Sequence, residues 1–335
     1  MSKVRRVKYF TQEKLDLINP KNTKLYKRYL VSRMSSNPDV KETTYKVYEN
    51  YFNHFLVYLA EEWGEEMTLH DEEFFDSAVD IMEGYMFFCQ DTLLNRKKII
   101  NTKLSAVSSY FHWAVRRGII DHHPFDGKLE RMQGARDEKV IAEHFLTQEE
   151  VNTITKELAK RENGYDIIDE MIWNIMIDSA NRVGAISKLT ISSLDLEEMK
   201  FDNIREKRGE RVEVVFNQHT KEIIEEWLEM RKEMDNLEVD ALFISRFNGE
   251  YRPMVKSTIQ TRIKKIGLII GVEDFRSHSI RKTALNLMYE LVGDITLVAE
   301  MANHKSVETT QQSYIRPKSK TEIREELNRI RNSEE

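Results

Sequence analysis

Four side chains in the C-terminal half of this sequence have the types and the order needed to act on a phosphate diester. His278 and Arg281 are three residues apart in the run HSIRK, so a helix would place both on one face. Arg182 lies upstream and Tyr314 downstream. Guanidinium groups bind phosphate oxygens in a bidentate way and stay charged at physiological pH. Two arginines converging on one phosphorus would stabilise a pentacoordinate transition state, with a tyrosine as nucleophile.

This order resembles the catalytic signature of the tyrosine recombinases, the phage-integrase-type family of site-specific DNA recombinases. The resemblance covers most of the chain, from residue 20 to residue 320 or so. The HxxR quartet alone is a weak signal, whereas the complete series with a late tyrosine is specific. The predicted catalytic residues, in chain order, are Arg182, Lys207, His278, Arg281, His304 and Tyr314.

The resemblance implies a transesterification. Tyr314 would attack the scissile phosphate and form a 3′-phosphotyrosyl link, and Lys207, beside a hairpin turn, would protonate the departing 5′ oxygen. A 5′ hydroxyl from the partner duplex would then reverse the step. Because the bond energy stays in the covalent link, no cofactor and no metal are expected. The implied partners are a double-stranded DNA recombination site and further copies of the chain, as a dimer on one site and a tetramer in synapsis.

Several positions depart from the family pattern or leave alternatives open. Asn181 stands where a glycine-containing turn is familiar, Ala185 where an acidic residue is common, and Asn303 where glycine usually precedes the histidine. Arg182 could also form a structural salt bridge with a carboxylate. The rivals to Lys207 are Lys200 as the proton donor, and Arg205, Arg208 and Arg211 as phosphate contacts.

Composition is typical of a helix-rich protein with two domains. The chain has 335 residues, of which 32% are charged and only five are proline. Its single cysteine, Cys89, excludes an internal disulfide framework and is predicted to be a buried apolar residue. Since no apolar run is long enough for a membrane span and no signal peptide is apparent, the sequence predicts a cytoplasmic protein that does not enter membranes.

The net charge of −6 argues, taken alone, against a nucleic-acid-binding protein. Binding depends on the potential of one face, however, and the stretch from Glu61 to Glu73 carries seven acidic residues and no lysine or arginine. Basic residues form two groups that are predicted to contact DNA. The first contains Arg96, Lys97, Lys98, Lys103, Arg116 and Arg117, and the second contains Lys256, Arg262, Lys264 and Lys265.

Helical periodicity and turn residues predict a mainly α fold with a small antiparallel β-sheet. Apolar residues recur at helical spacing over 45–63, 72–93 and 95–118, the Thr147/Glu150 pair forms a capping-box signature, and short strands flank Gly209. By resemblance, the N-terminal helices form a core-binding domain and the remainder an α+β catalytic domain. The predicted segments are a basic leader (1–21), the helical DNA-binding domain (22–125), a linker (126–144), the catalytic domain (145–316) and a C-terminal helix (317–335) that could pack on a neighbouring protomer.

The sequence alone leaves three functions open. The first is a site-specific recombinase for integration, excision or resolution. The second is a type IB topoisomerase-like nicking enzyme that uses the same chemistry without strand exchange. The third is a non-catalytic DNA-binding regulator. The helical N-terminal domain and the short tail favour recombination over simple relaxation.

Overall fold

The computed structural model describes residues 11–36, 44–134, 145–206, 210–234, 238–303, 307–316, 320–321, 323–325 and 328. The chain divides into two compact units, Met1–Ile141 and Ala142–Glu335. The architecture is mainly α-helical with small antiparallel sheets, as the sequence predicts. No helix in the described ranges is long and apolar enough to cross a membrane.

The N-terminal unit is a helical domain with an aromatic core. Tyr26 stacks on Phe52 with ring centroids 3.7 Å apart, and Tyr110 lies against both rings. Aromatic side chains bury large apolar areas, and offset pairs add to that gain. Its described helices are α1 (Gln12–Asp16), α2 (Pro20–Ser36), α3 (Thr44–Trp63), α4 (Glu72–Asp76), α5 (Ala78–Asp91) and α6 (Lys97–Arg116).

Two of the three helices predicted in this unit form as expected, and the third is divided. The segments predicted over 45–63 and 95–118 correspond to α3 and α6. The helix predicted over 72–93 is wrong as a single element, because the chain leaves helical geometry at Ser77 and forms α4 and α5. Phe74, three residues before Ser77, is fully buried. Tertiary packing at this point therefore overrides the helical pattern that the sequence shows across residues 72–93.

A group of ionisable side chains lies inside this unit. The Lys103 ammonium, 4% exposed, is 3.4 Å from Nε2 of His54 and 3.7 Å from Sγ of Cys89. The Tyr85 hydroxyl is 3.3 Å from Nδ1 of His54. Burial lowers the pKa of Lys103, and burial together with the nearby Lys103 charge lowers the pKa of His54 to about 3. Cys89 is buried, as predicted, and burial raises the pKa of its thiol.

The buried imidazole predicts an acid-sensitive N-terminal unit. His54 titrates near its ordinary pKa when unfolded but only at about pH 3 when folded, so the unfolded chain binds the extra proton between those values. Stability should therefore fall as pH falls through this window, by up to about 1.4 kcal/mol per pH unit. Denaturant unfolding of the full chain followed by tryptophan fluorescence measures this slope. His54→Gln should flatten it, and an equal slope in that variant would contradict the assignment.

The C-terminal unit is built around one helix that is buried on every side. The helix α8 contacts helices before and after it in the chain, and its residues Met171, Ile172 and Trp173 are fully buried. The described elements are α7 (Gln148–Ala159), α8 (Ile167–Ser179), α9 (Val183–Ile186), β1 (Leu194–Asp195), β2 (Lys200–Arg205), β3 (Arg211–Val215), α10 (Gln218–Lys232), β4 (Ile244–Phe247), β5 (Glu250–Pro253), α11 (Lys256–Ile266), α12 (Ser277–Val292), α13 (Ile295–Met301) and α14 (Val307–Tyr314).

The start of this unit confirms the predicted capping box. The Thr147 hydroxyl accepts a hydrogen bond from the Glu150 backbone N–H, and the Glu150 carboxylate accepts one from the Thr147 backbone N–H. Both bonds satisfy donors that the first turn of α7 would otherwise leave unpaired.

Two antiparallel sheets accompany the helices. The first has the order β1-β2-β3, with Ile204 opposite Val212, and its β2–β3 pair is the predicted hairpin. The turn that joins β2 to β3, residues 207–209, lies outside the described residues. The second sheet is the hairpin of β4 and β5, which turns at Asn248 and Gly249 with both residues at positive φ. That geometry explains why the turn consists of asparagine and glycine.

Candidate active site

Two loops begin with a backbone turn of unusual geometry, and both lead to predicted catalytic residues. Ala180 ends α8 in the left-handed conformation, with φ of 52°, and Arg182 follows as the N-cap of α9. Asn303, just before His304, has the same φ. Asparagine adopts this region more readily than other non-glycine residues, so Asn303 can replace the glycine usual in the family. Alanine is less suited to it, at a cost of roughly 1–2 kcal/mol.

The Arg281 side chain joins these two turns. Its Nη1 donates to the carbonyl of Ala180 and its Nη2 to the carbonyl of Ala302, each at 2.6 Å. The residue is 1% exposed, among the largest fully buried side chains of the chain. Hydrogen bonds from a charged donor contribute more than neutral ones, about 1.5–3 kcal/mol each. Arg281 therefore fixes the segment that carries Arg182 against the segment that approaches the tyrosine.

Tyr314 lies against both members of the HxxR quartet. The Arg281 guanidinium carbon is 5.3 Å from the centre of the tyrosine ring, and the His278 ring is 5.2 Å from it in an edge-on arrangement. Both residues belong to α12, so the predicted helical spacing of His278 and Arg281 is confirmed. The backbone N–H of Arg316 donates to Asn286 of the same helix, which ties the end of the tyrosine segment to α12.

The surroundings of Tyr314 are mostly apolar. Its side chain is 7% exposed and packs with Ala284, Leu285 and Val298. His278, by contrast, is exposed in the first turn of α12, where backbone N–H groups and the helix dipole favour an anion. The phenol thus lies between a buried cation and an exposed imidazole at the positive end of a helix.

Arg182 is oriented by a carboxylate from the β2–β3 hairpin. Its Nη1 donates to Oε2 of Glu206 at 2.8 Å. The Glu206 side chain is 6% exposed, whereas the Arg182 side chain is 42% exposed, so the guanidinium keeps donors open to solvent. Glu206 could not be predicted from the sequence, because an ion pair across 24 residues leaves no local pattern. Glu206 supplies the acidic partner that Ala185 cannot.

Electrostatics shows that the two arginines and the tyrosine share one environment. Burial lowers the pKa of Arg281, the nearby Tyr314 hydroxyl and a hydrogen bond with it act in the opposite direction, and the positive charge of Arg182 lowers this pKa further. Two guanidiniums that repel each other beside a phenol are suited to bind an anion between them. The negative charge of the anion would offset both the cost of burying the Arg281 cation and the repulsion between the two arginines.

The structure thus brings together four of the six predicted catalytic residues: Arg182, His278, Arg281 and Tyr314. Lys207 and His304 lie outside the described residues, as does Arg208. Among the rivals, Lys200 is paired with Glu213 at 3.1 Å, which raises the pKa of its ammonium, and Arg211 donates to Asn203.

Two of the predicted DNA contacts need correction. Lys103 is 4% exposed inside the N-terminal unit, where its ammonium cannot meet a phosphate. Arg262 donates to Asp166 and to the fully buried Asp169, both at 2.8 Å, so its guanidinium has a structural role. The other predicted contacts, Arg96, Lys97, Lys98, Arg116 and Lys256, are exposed or half-exposed, and their contact with DNA stays a prediction.

Comparison with known proteins identifies the family. The model of the phage integrase family matches residues 144–321, more than half of the chain. The chain belongs to the phage integrase family. It is 24% identical over 208 residues to tyrosine recombinase XerC of Pseudomonas fluorescens, covering 62% of this chain and 66% of that protein, which is just under two thirds. Tyrosine recombinase XerA of Saccharolobus solfataricus is 24% identical over 143 residues, 43% of this chain and 44% of that protein.

Solved structures show the same fold. The Tn1549 transposon integrase in complex with circular intermediate DNA has a TM-score of 0.65 at 12% identity, and the match covers 90% of this chain and 98% of that one. A lambda integrase dimer bound to a core site gives 0.61 at 13% identity, with 89% and 98% covered. At these identities the likeness concerns the fold alone.

The Arg182–Glu206 pair generates a test of the site in this family member. Glu206→Ala should lower the rate of DNA cleavage by about 10- to 100-fold, because a misplaced guanidinium no longer meets the phosphate, while DNA affinity changes little. Single-turnover cleavage at saturating protein separates the two effects. Glu213→Ala is the matched control, since that carboxylate pairs with Lys200 on the same sheet and is 53% exposed. Equal rates for wild type and Glu206→Ala would remove the positioning role.

Proposed function

We propose that the chain is a site-specific DNA recombinase that cleaves and rejoins DNA through a 3′-phosphotyrosyl intermediate. The observation that carries this proposal is the contact of the Tyr314 ring with both Arg281 and His278, beside a second arginine, Arg182. Family membership and relatives named tyrosine recombinases support the same reaction.

Each catalytic residue has a separate role in the proposed reaction. Tyr314 is the nucleophile, and its oxygen forms a bond to phosphorus while the bond to the 5′ oxygen breaks. Arg182 and Arg281 bind the non-bridging oxygens, where charge develops in the pentacoordinate transition state. His278 donates a hydrogen bond to the same group. Lys207 is the proposed proton donor to the 5′ oxygen, and His304 the second imidazole at the phosphate.

Burial of the nucleophile gives the reaction a conformational step. Because Tyr314 is 7% exposed in the DNA-free chain, a scissile phosphate can reach it only if α14 shifts or its apolar neighbours separate. Binding of a phosphate between the two arginines would favour such a shift, since the anion replaces interactions that Arg281 makes with the phenol.

A covalent trap tests the nucleophile. The full chain is incubated with a pool of random-sequence duplexes that each carry a nick, so that the short cleaved product diffuses away and the protein stays attached. Wild type should yield DNA that remains linked to protein in denaturing gels, and peptide mapping should place the link at Tyr314.

Single-residue variants of the chain serve as controls for the covalent trap. Tyr314→Phe should yield no adduct, because it lacks the phenol oxygen, and Tyr251→Phe should yield the wild-type amount, because Tyr251 belongs to no part of the series. Arg182→Ala or Arg281→Ala should reduce the adduct by about 100-fold or more. An adduct that persists in Tyr314→Phe would reject the assignment.

Strand exchange between two sites further requires an assembly of several copies. We infer a dimer on one DNA site and a tetramer in synapsis. This inference is supported by the family and by a solved lambda integrase tetramer bound to a Holliday junction, which shares the fold with a TM-score of 0.61.

A plasmid assay separates recombination from relaxation. Sequences recovered from the covalent trap are placed in two copies on one supercoiled plasmid. A recombinase should delete or invert the intervening segment in a reaction that requires both copies. Relaxation without rearrangement, at equal rates with one copy or two, would instead indicate a type IB topoisomerase-like enzyme.

A further inference from the structure

A buried asparagine directly precedes Arg182, one of the two arginines proposed to bind the phosphate. Asn181 is 2% exposed, and its Nδ2 donates a hydrogen bond to the backbone carbonyl of Glu213 at 3.0 Å. Glu213 belongs to β3, which is an edge strand because the sheet has the order β1-β2-β3. Asn181 therefore joins the segment that carries Arg182 to the open edge of this sheet.

Stability alone does not explain an asparagine at this position. The Oδ1 of Asn181 is buried and has no hydrogen-bond partner within the described part of the chain. An unpaired polar atom in the interior opposes folding, because it has given up its hydrogen bonds with water. Leucine has the same branching of its heavy atoms and would avoid this cost. Residues that oppose folding in this way are expected where a site, rather than the core, requires them.

Asn181 is one of three side chains that hold this segment against the β2–β3 hairpin. Arg182 donates to the Glu206 carboxylate at 2.8 Å, and the Lys188 ammonium donates to the carbonyl of Arg205, also at 2.8 Å. These two bonds attach the segment to the end of β2, whereas Asn181 attaches it to β3. Without the Asn181 bond, the segment would be held to the hairpin on one side only.

The position of this backbone decides where the Arg182 guanidinium lies. The guanidinium is at the end of a long side chain, so a small rotation of the backbone displaces it further than the backbone itself moves. A displacement of about 1 Å in an active site can lower the rate by about 100-fold. Glu206 fixes the far end of the Arg182 side chain, and Asn181 fixes the backbone from which that side chain starts.

We propose that Asn181 is a positioning residue for DNA cleavage, and that it acts through Arg182 by fixing the backbone of that arginine to β3. The proposal rests on the proposed function, in which Arg182 binds a non-bridging oxygen of the scissile phosphate. Asn181 then supports the neutralisation of phosphate charge and takes no part in protonating the 5′ oxygen that leaves.

The variant Asn181→Leu removes both the Nδ2 hydrogen bond and the unpaired Oδ1. Single-turnover cleavage at saturating protein is measured on a duplex recovered by the covalent trap. Because the guanidinium loses its position at the phosphate, the cleavage rate should fall by about 10- to 100-fold, with little change in DNA affinity. Asn181→Ala removes the same bond with a smaller side chain and should show the same loss. Thermal unfolding of each variant confirms that it is folded.

A substrate without the phosphate charge shows whether the loss passes through Arg182. The same duplex is made with one methylphosphonate at the mapped cleavage position, where a methyl group replaces the charged non-bridging oxygen. With no negative charge to neutralise, the transition state gains much less from a guanidinium. Asn181→Leu should therefore cleave this duplex within about threefold of the wild-type rate, and Arg182→Ala should show the same recovery.

The matched control is a buried asparagine elsewhere in the C-terminal unit. Asn174 is 4% exposed, and its Nδ2 donates to the backbone carbonyl of Glu170 at 2.9 Å, within α8. Asn174→Leu should cleave both duplexes at rates near those of wild type. A wild-type rate of Asn181→Leu on the phosphodiester, an equal loss on both duplexes, or the same phosphodiester-specific loss in Asn174→Leu would overturn the proposal.

Failure of this inference can be separated from failure of the proposed function. If wild type forms no covalent adduct in the trap, the proposed function fails and the role of Asn181 fails with it. If wild type forms the adduct and Arg182→Ala shows a loss confined to the phosphodiester, but Asn181→Leu does not, only the role of Asn181 fails.

Discussion

The buried guanidinium of Arg281 is the interaction on which the rest of the active site depends. It donates to the carbonyls of Ala180 and Ala302, which end two segments far apart in the chain. One segment leads to Arg182 and the other to His304 and Tyr314. These bonds satisfy the carbonyl of Ala180, which is in the left-handed conformation, and the carbonyl of Ala302, which directly precedes the left-handed Asn303.

The Arg281 guanidinium also has an electrostatic role. Burial opposes its charge, and the nearby Arg182 opposes it further. Such a cation is stabilised by an anion that enters the site, and a phosphate diester carries one negative charge over two non-bridging oxygens. An anion bound between the two arginines would therefore offset both the burial of Arg281 and its repulsion by Arg182. Glu206 lessens the repulsion from one side while it leaves Arg182 partly exposed.

The sequence is sufficient for the parts of this architecture that depend on local spacing. Helix α8, the Thr147 capping box, and the placing of His278 and Arg281 on one helix follow from periodicity and cap chemistry. The Asn248–Gly249 hairpin could also have been predicted, because this dipeptide is the usual signal for a two-residue turn.

What could not be predicted depends on contacts between distant segments. Lys103 belongs to a basic run, but its side chain points to the core, and only the packing against His54 and Cys89 shows that. Arg262 meets Asp169 across 93 residues, and Glu206 reaches Arg182 from a hairpin. Side chains of one type thus acquire opposite roles, solvated or buried, that composition and spacing do not distinguish.

The central claim is that Arg182 and Arg281 bind one phosphate beside position 314. A crystal structure of Tyr314→Phe with a duplex recovered by the covalent trap measures this most directly. We predict nitrogens of both guanidiniums within about 2.7–3.2 Å of oxygens on the same phosphorus, with the ring of residue 314 facing it. A DNA-bound structure in which the two arginines contact different phosphates, or in which residue 314 stays packed against Leu285 away from the backbone, would contradict it.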